Sequence, residues 1–332
     1  MEENKKILSI SVACYNLGDM IRTNIESFCK SNVAKDIELI ITDDGSKDNS
    51  ADIVEEYVKL YPATVKLIRK VNEGPGSTVN SGIQHATGKY FRMVDGDDWV
   101  NTENLEEYIN LLKNTNADMV VSDYDIYDNT QQKIIETKTA NLPILTEIQF
   151  NDYYNQIPYE MHFSAFKTSI FKDNDIKLDN CFYTDVEYLL YPIQYVKTVA
   201  YFNKTIYIYR VAQATQSVNP NSMKKNIAQH ELVLNHLLEL YESIKDKILL
   251  GHQKFIVDRL AKMCDVQLTT YLYFKPSKEN KEKIKAFISC IKQKYNEIFQ
   301  VFKKSKKYKL LKYSKYLLYP LASKLCIKKC NK

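Results

Sequence analysis

Three short runs in this 332-residue chain carry the residue types that do chemistry. Thr42-Asp43-Asp44-Gly45-Ser46 and Val94-Asp95-Gly96-Asp97-Asp98-Trp99 each follow an apolar, β-branched stretch, and Ala13-Cys14-Tyr15-Asn16 follows a third. Carboxylates crowded at neighbouring strand ends repel one another unless a cation or a hydrogen-bonding ligand is present. Their hard oxygens select Mg2+ or Mn2+, ions that keep open positions for phosphate oxygens. Such a cation neutralises a diphosphate that otherwise would not approach so many acids. Each run alone says little. Asp-Asp-Gly-Ser is ordinary turn chemistry, Asp48 suits the cap of the next helix, and the 95–98 run fits a solvated turn. Their joint placement favours the chemical reading.

The elements that must position these runs form a repeating pattern. Apolar stretches over 7–13, 37–42, 65–69, 90–94 and 118–122 read as strands, and 18–30, 48–60, 77–86 and 102–113 as helices. This alternation implies βαβ units, an α/β fold with a mostly parallel sheet, helices on both faces, and ligands at the carboxyl ends of the strands. Residues 124–139 read as a strand pair across Asp128-Asn129, 184–196 as a helix, 199–209 as a strand. From about 226 the pattern is helical. The expected division is a first α/β half over 1–122, a second half over 123–222, a helical region over 223–301 and a basic tail over 302–332.

The composition is that of a packed globular protein, with 45% hydrophobic and 26% charged residues. The formal charge of +5 is unevenly spread. Residues 302–332 hold 11 lysines and no acid, which leaves 35 basic against 41 acidic side chains in the rest. Seven cysteines without CxxC spacing support neither a disulfide framework nor a zinc ribbon, and the five histidines form no metal pattern. No signal peptide or apolar run of membrane-spanning length is seen, so the expected location is cytoplasmic.

The 9–16 run, the 38–50 run with Asp-Asp-Gly-Ser, and Val94 to Trp99 together closely resemble family 2 glycosyltransferases of the GT-A fold. Asn72-Glu73-Gly74, Asn80-Ser81-Gly82 and Ala86-Thr87-Gly88-Lys89-Tyr90 extend the resemblance. It implies an inverting transferase that uses a nucleoside-diphosphate sugar and Mn2+ or Mg2+. On that resemblance Ala13, Tyr15, Asn16, Asp43, Asp44, Asn72, Asp95 and Gly96 hold the nucleotide sugar, and Asp95, Asp97 and Asp98 the metal. One departure is Thr78-Val79-Asn80, where the family often has Ala-Arg-Asn. A cation for the diphosphate is then missing, and Arg92 is one candidate to replace it.

Direct displacement also needs a base for the acceptor hydroxyl. Phe182-Tyr183-Thr184-Asp185-Val186-Glu187 resembles the family's Glu-Asp element, with Thr184 in place of Glu, and Asp185 takes the position of the base. Its competing role is to stabilise a helix N-terminus. Tyr207-Ile208-Tyr209-Arg210 and Gln216-Ser217-Val218 resemble the strand and loop that close such sites. Arg210 meets phosphate, acceptor or a surface acid. Trp99 is a sugar platform or packing beneath the loop, and His162 is an acceptor contact or, more in keeping with its context, a packed side chain.

The implied acceptor is a glycan or lipid-linked oligosaccharide of a bacterial surface polysaccharide. In the tail, Leu310, Leu311, Ser314, Leu317, Leu318 and Leu321 share a helical face that Pro320 kinks or ends, with Lys306, Lys309, Lys312 and Lys315 largely off it. That pattern predicts an interfacial helix on an anionic membrane, peripheral on the inner face of the plasma membrane. Nucleic acid is disfavoured by the acidic body. The competing non-enzyme reading is an inactive nucleotide-sugar-binding scaffold of a polysaccharide assembly complex.

Overall fold

The computed structural model describes residues 5–144, 147–212 and 219–330, with side chains as far as Ile327. The strand–helix alternation is present as β1 (Leu8–Cys14), α1 (Met20–Cys29), β2 (Ile37–Asp43), α2 (Ser50–Leu60), β3 (Val65–Arg69), α3 (Pro75–His85) and β4 (Tyr90–Asp95). Continuous apolar runs such as Leu39-Ile40-Ile41 are buried along their length, as strands in a parallel sheet require. The helices bury one stripe each, α1 through Ile21, Ile25 and Phe28. β1 pairs in parallel with both β2 and β4, and Ala13 lies opposite Thr42 on one side and Asp95 on the other. That register sets the three motif runs side by side.

The chain continues through β5 (Trp99–Val100), α4 (Leu105–Asn114), β6 (Met119–Asp128), β7 (Lys133–Lys138), β8 (Ile148–Gln149) and α5 (Phe150–Tyr153). β9 (Ser164–Lys167), α6 (Thr168–Asp173), α7 (Thr184–Ile193) and β10 (Thr198–Val211) complete this region. The expected strand over 118–122 and the first strand of the pair over 124–139 are one strand, β6. Asp123 and Asp125 do not interrupt it, because Tyr201 and Thr137 donate to their carboxylates at 2.7 and 2.6 Å. β9 pairs antiparallel with the first part of β6 and β7 with the last, while β10 runs parallel to β6 across a bulge near Phe202. The sheet order is β3-β2-β1-β4-β9-β6-β10-β5, mixed, with its long pairings parallel.

The chain divides into two compact units, residues 1–213 and 214–332. The second is helical: α8 (Pro220–Lys225), α9 (Ile227–Ile244), α10 (Leu250–Leu272), α11 (Lys278–Lys294), α12 (Asn296–Phe302), α13 (Lys306–Tyr313) and α14 (Tyr319–Cys330). The expected single interfacial helix is two, and its expected apolar face is split. Leu311 is fully buried, and Pro320 sits at the start of α14, where its missing N–H is harmless. The Tyr319 hydroxyl accepts from Asn280 Nδ2 at 3.0 Å, and Ser323 Oγ donates to the Leu272 and Phe274 carbonyls at 2.8 Å. The last thirty residues belong to the helical unit's core as well as to its surface.

Candidate active site

The turn from β4 into β5 is built around Gly96. A Cβ there would lie 2.4 Å from the Ala13 carbonyl oxygen and 2.3 Å from Leu17 Cδ1, so no other residue fits. The Asp98 N–H donates to the Asp95 carbonyl at 3.1 Å. From beneath, buried Asn24 on α1 donates Nδ2 to the Asp95 and Asp98 carbonyls at 3.2 and 2.8 Å. From β10, the Tyr207 hydroxyl donates to Asp98 Oδ2 at 2.6 Å and accepts the Asp95 N–H at 3.1 Å. The Arg210 backbone N–H donates to Asp98 Oδ1 at 2.7 Å, and its Nε to the Asp97 carbonyl at 2.8 Å.

One carboxylate oxygen from each of Asp95, Asp97 and Asp98 lies within 4.8 Å of the others. Burial, then the charges of Asp97 and Asp185, push the Asp95 carboxyl up to about 8. Burial, then the charges of Asp97 and Asp95, push Asp98 well above the usual carboxylate range. A hard divalent cation removes this mutual repulsion, and an all-oxygen donor set suits Mg2+ or Mn2+. Both oxygens of Asp98 already accept hydrogen bonds, which ties its carboxylate to the scaffold.

The β1 and β2 loops are joined to each other. Asn16, at φ 52°, donates its N–H to Ser46 Oγ at 3.0 Å and accepts the Lys47 N–H at 2.8 Å. Leu17 and Gly18 both donate to Ser50 Oγ at 2.9 Å. Asp43 accepts the Ser46 N–H at 3.1 Å. Asp44 turns its carboxylate to the loop after β3, accepting from the N–H groups of Glu73 and Gly74 at 3.0 and 2.9 Å and from Lys70 Nζ at 3.3 Å. Tyr15 and Asn72 are exposed, and the Asn72 backbone passes against Gly45. Ala13, Tyr15, Asn16, Asp43, Asp95 and Gly96 therefore gather at one end of the parallel strands.

Arg92 does not serve the diphosphate. The pleat of β4 turns it into the core, where it is fully buried and donates to Tyr108 Oη at 3.2 Å, Ser122 Oγ at 3.0 Å and the His162 carbonyl. Lys70 is a cation next to the loops after β2 and β3, held by Asp44, Glu73 and Ser77. His162 packs among Tyr124, Tyr207 and Tyr209 with centroids 4.9, 4.7 and 4.5 Å away. Burial, with the Arg92 charge, drops it to about 3, so the ring is neutral at ordinary pH. The Arg210 guanidinium lies over the Trp99 ring at 4.6 Å, and Tyr127 meets that ring edge-on at 5.0 Å. These contacts pack Trp99 and make Arg210 a clamp on the acidic turn.

α7 starts after Tyr183, at φ 75°, and carries half-buried Asp185 in its first turn. The charge of Asp185 acts on Asp95, Tyr183 and Tyr209, so it lies within electrostatic reach of the acidic turn. The loop ahead of α7 is clasped from three sides. Asn80 pairs with Leu178, donating to its carbonyl and accepting its N–H at 2.8 Å each. Gly74 and Gly76 press against the backbone of Asn180 and Asp179, where a Cβ would come within 2.7 and 1.7 Å of the carbonyl oxygens. Fully buried Glu187 accepts the Asp179 N–H at 3.1 Å and the Tyr191 hydroxyl at 3.0 Å. Burial and the nearby Asp179 push its carboxyl up to about 8.

Asn24, Lys70, Glu187 and the hydroxyl role of Tyr207 were not singled out from the sequence. Asn24 carries the only hint, a polar residue amid the buried stripe of α1. The Gln216-Ser217-Val218 loop lies outside the described residues.

An open α/β sheet with acidic loops at the ends of its parallel strands defines a GT-A fold. The family model described as "Glycosyl transferase family 2" matches residues 9–175, half of the chain, and the chain belongs to that family. The poly(ribitol-phosphate) β-glucosyltransferase of Bacillus spizizenii is 36% identical over 116 residues, 34% of this chain and 18% of that protein. The chain spans about a third of another curated relative. S. aureus TarS 1-349, solved in complex with UDP, superposes with a TM-score of 0.65 at 18% identity, covering 97% of this chain and 90% of that one. The same TarS segment has been solved with UDP-GlcNAc. A mannosyltransferase of Pyrobaculum calidifontis, in complex with GDP-Man and Mn2+, gives a TM-score of 0.51 at 12% identity, covering 96% and 86%. At these identities the structures bear on the fold alone.

Proposed function

We propose that the chain is an inverting glycosyltransferase. It moves a sugar from a nucleoside-diphosphate sugar, a UDP-sugar by analogy with TarS, to an acceptor hydroxyl of a bacterial surface polysaccharide. The observation that carries this reading is the scaffolded acid cluster at 95–98, within electrostatic reach of a further carboxylate, Asp185, on a separate helix. Ala13, Tyr15, Asn16, Asp43 and Asn72 hold the nucleotide, and Gly96 lets the backbone come close to it. Asp44 shapes the pocket through the loop after β3. Mn2+ or Mg2+ held by Asp95 and Asp97 would stabilise the departing diphosphate. Asp98, Asn24, Tyr207 and Arg210 keep the acidic turn in place. Asp185 takes the proton from the acceptor hydroxyl as that oxygen attacks the anomeric carbon. The acceptor is a glycan or lipid-linked oligosaccharide at the anionic inner face of the plasma membrane.

The test is turnover of a panel of UDP-, GDP- and dTDP-sugars with Mn2+, read as nucleotide release in the presence of glycan acceptors. Metal-dependent release from one donor, abolished by a chelator and by Asp97→Ala, is the expected result. Donor binding with no turnover across the panel would favour the scaffold reading instead.

A further inference from the structure

Among the described residues of the helical unit, six of the ten exposed large apolar side chains fall in one short stretch. Leu310, Tyr313, Leu317, Leu318, Leu321 and Leu325 all lie open to solvent, with Tyr313 82% and Leu317 78% exposed. On α14, Tyr319, Ala322 and Ser323 form the buried face. Leu318, Leu321 and Leu325, at helical spacing of three and four, point outward from the other side. Leu317 projects from the turn between α13 and α14. Lys303, Lys304, Lys306, Lys309, Lys312, Lys315 and Lys324 surround them, all exposed, and residues 303–327 include no acid. Two acids on the packed helices are engaged. Asp265 on α10 accepts from Lys307 at 2.6 Å and from Ser305, and Glu282 on α11 accepts from Lys285 at 2.8 Å. Lys285 itself lies over the Tyr316 ring at 5.7 Å.

We infer that this leucine–lysine surface of α13, α14 and the turn between them docks the protein onto an anionic lipid bilayer. Exposed apolar side chains clustered in one short stretch among like charges are uncommon on a soluble surface and mark an interaction site. Lysines extend their stems along such a patch while their ammonium groups reach lipid phosphates, and the leucines enter the acyl boundary. A second copy of the same face is opposed by like charge. Nucleic acid would use the lysines but leave the leucines in water. The surface differs from a detachable basic tail: Leu311, Tyr319, Ala322 and Ser323 are part of the unit's core, so its geometry is preset. No helix among the described residues is long and apolar enough to cross a membrane, which fits docking in the plane of the surface.

The test is co-sedimentation of the full chain with phosphatidylglycerol–phosphatidylcholine vesicles, beside pure phosphatidylcholine vesicles. It needs no donor or acceptor, so its outcome is independent of the transferase reading. The wild type should sediment with the anionic vesicles alone and be released by salt. The triple variant Leu317→Ser, Leu321→Ser, Leu325→Ser should bind about tenfold more weakly or less. The quadruple variant Lys309→Gln, Lys312→Gln, Lys315→Gln, Lys324→Gln should lose roughly a hundredfold. Both alter exposed side chains and should keep the wild-type melting temperature, whereas deleting 302–332 would remove core residues. The inference is overturned if wild type stays in the supernatant at low salt or if the leucine variant sediments like wild type. It also falls if soluble glycerol phosphate competes the protein off, if the leucine variant merely splits a dimer, or if an oligonucleotide displaces wild type while the leucine variant still binds vesicles.

Discussion

Residues 95–98 and residues 303–327 are both dense runs of one charge, and they use that charge in opposite ways. In the acidic turn each residue is held by named partners: Asn24 from α1, Tyr207 and Arg210 from β10, the Gly96 backbone against Ala13. In the lysine-rich end seven lysines are exposed, and Lys307 with Asp265 is the ion pair found there among the described residues. Binding and reacting a diphosphate needs charge at fixed coordinates, so the scaffold around it is buried and specific. Adhesion to a charged surface needs only charge and apolar area per unit of face, so its side chains stay loose. Single substitutions should therefore be severe in the first region and mild in the second.

The largest effect is expected at Asp185. Asp185→Asn is nearly isosteric, so calorimetry should show unchanged donor affinity while turnover falls by about two to four orders of magnitude. Near-wild-type turnover would place the base on another residue.

Next comes the scaffold of the turn. Tyr207→Phe leaves a buried carboxylate oxygen of Asp98 and the Asp95 N–H without their partner, a loss of about 1–3 kcal/mol. Thermal denaturation should show a lower midpoint, and metal-dependent donor binding should weaken with it. A variant as stable as wild type would mean that the acidic turn holds itself.

Glu187→Gln is expected to show its effect through pH. A carboxyl whose folded value is raised to about 8 is accommodated at no cost below its ordinary value of 4.5. Between those values the folded state binds more protons than the unfolded one, so wild-type stability falls as pH rises through that window. Gln keeps the shape and removes the titration, so the variant should gain on wild type from about pH 4.5 to about pH 8. Parallel denaturant-midpoint curves across that range would show that the Glu187 carboxyl titrates normally.

The smallest effect belongs to the lysine face, where Lys309→Gln alone should weaken vesicle binding by about fivefold or less and leave turnover on a soluble acceptor unchanged. A single lysine change as damaging as Asp185→Asn would erase the contrast between the two regions.

The sequence by itself determined the β1–β4 alternation, because helix and strand periods are local, and it marked the acids that the strands carry to their ends. Spacing alone could also show that the lysines stand apart from an acidic body. What it could not settle depends on partners far along the chain. Asp123 and Asp125 look like strand breakers until Tyr201 and Thr137 satisfy them, so β6 reads as two pieces. Arg92 has the charge a diphosphate would want, yet the pleat and the hydroxyls of Tyr108 and Ser122 commit it to the core. Asn24 and Glu187 are ordinary helical residues until a loop from elsewhere presents its backbone to them. Leu311 and Tyr319 turn inward only because the helical unit offers them a surface, which moves the outward apolar face to Leu317, Leu321 and Leu325. Periodicity tells which residues share a face of one element. Which face meets protein and which meets water is decided when another element arrives to cover it.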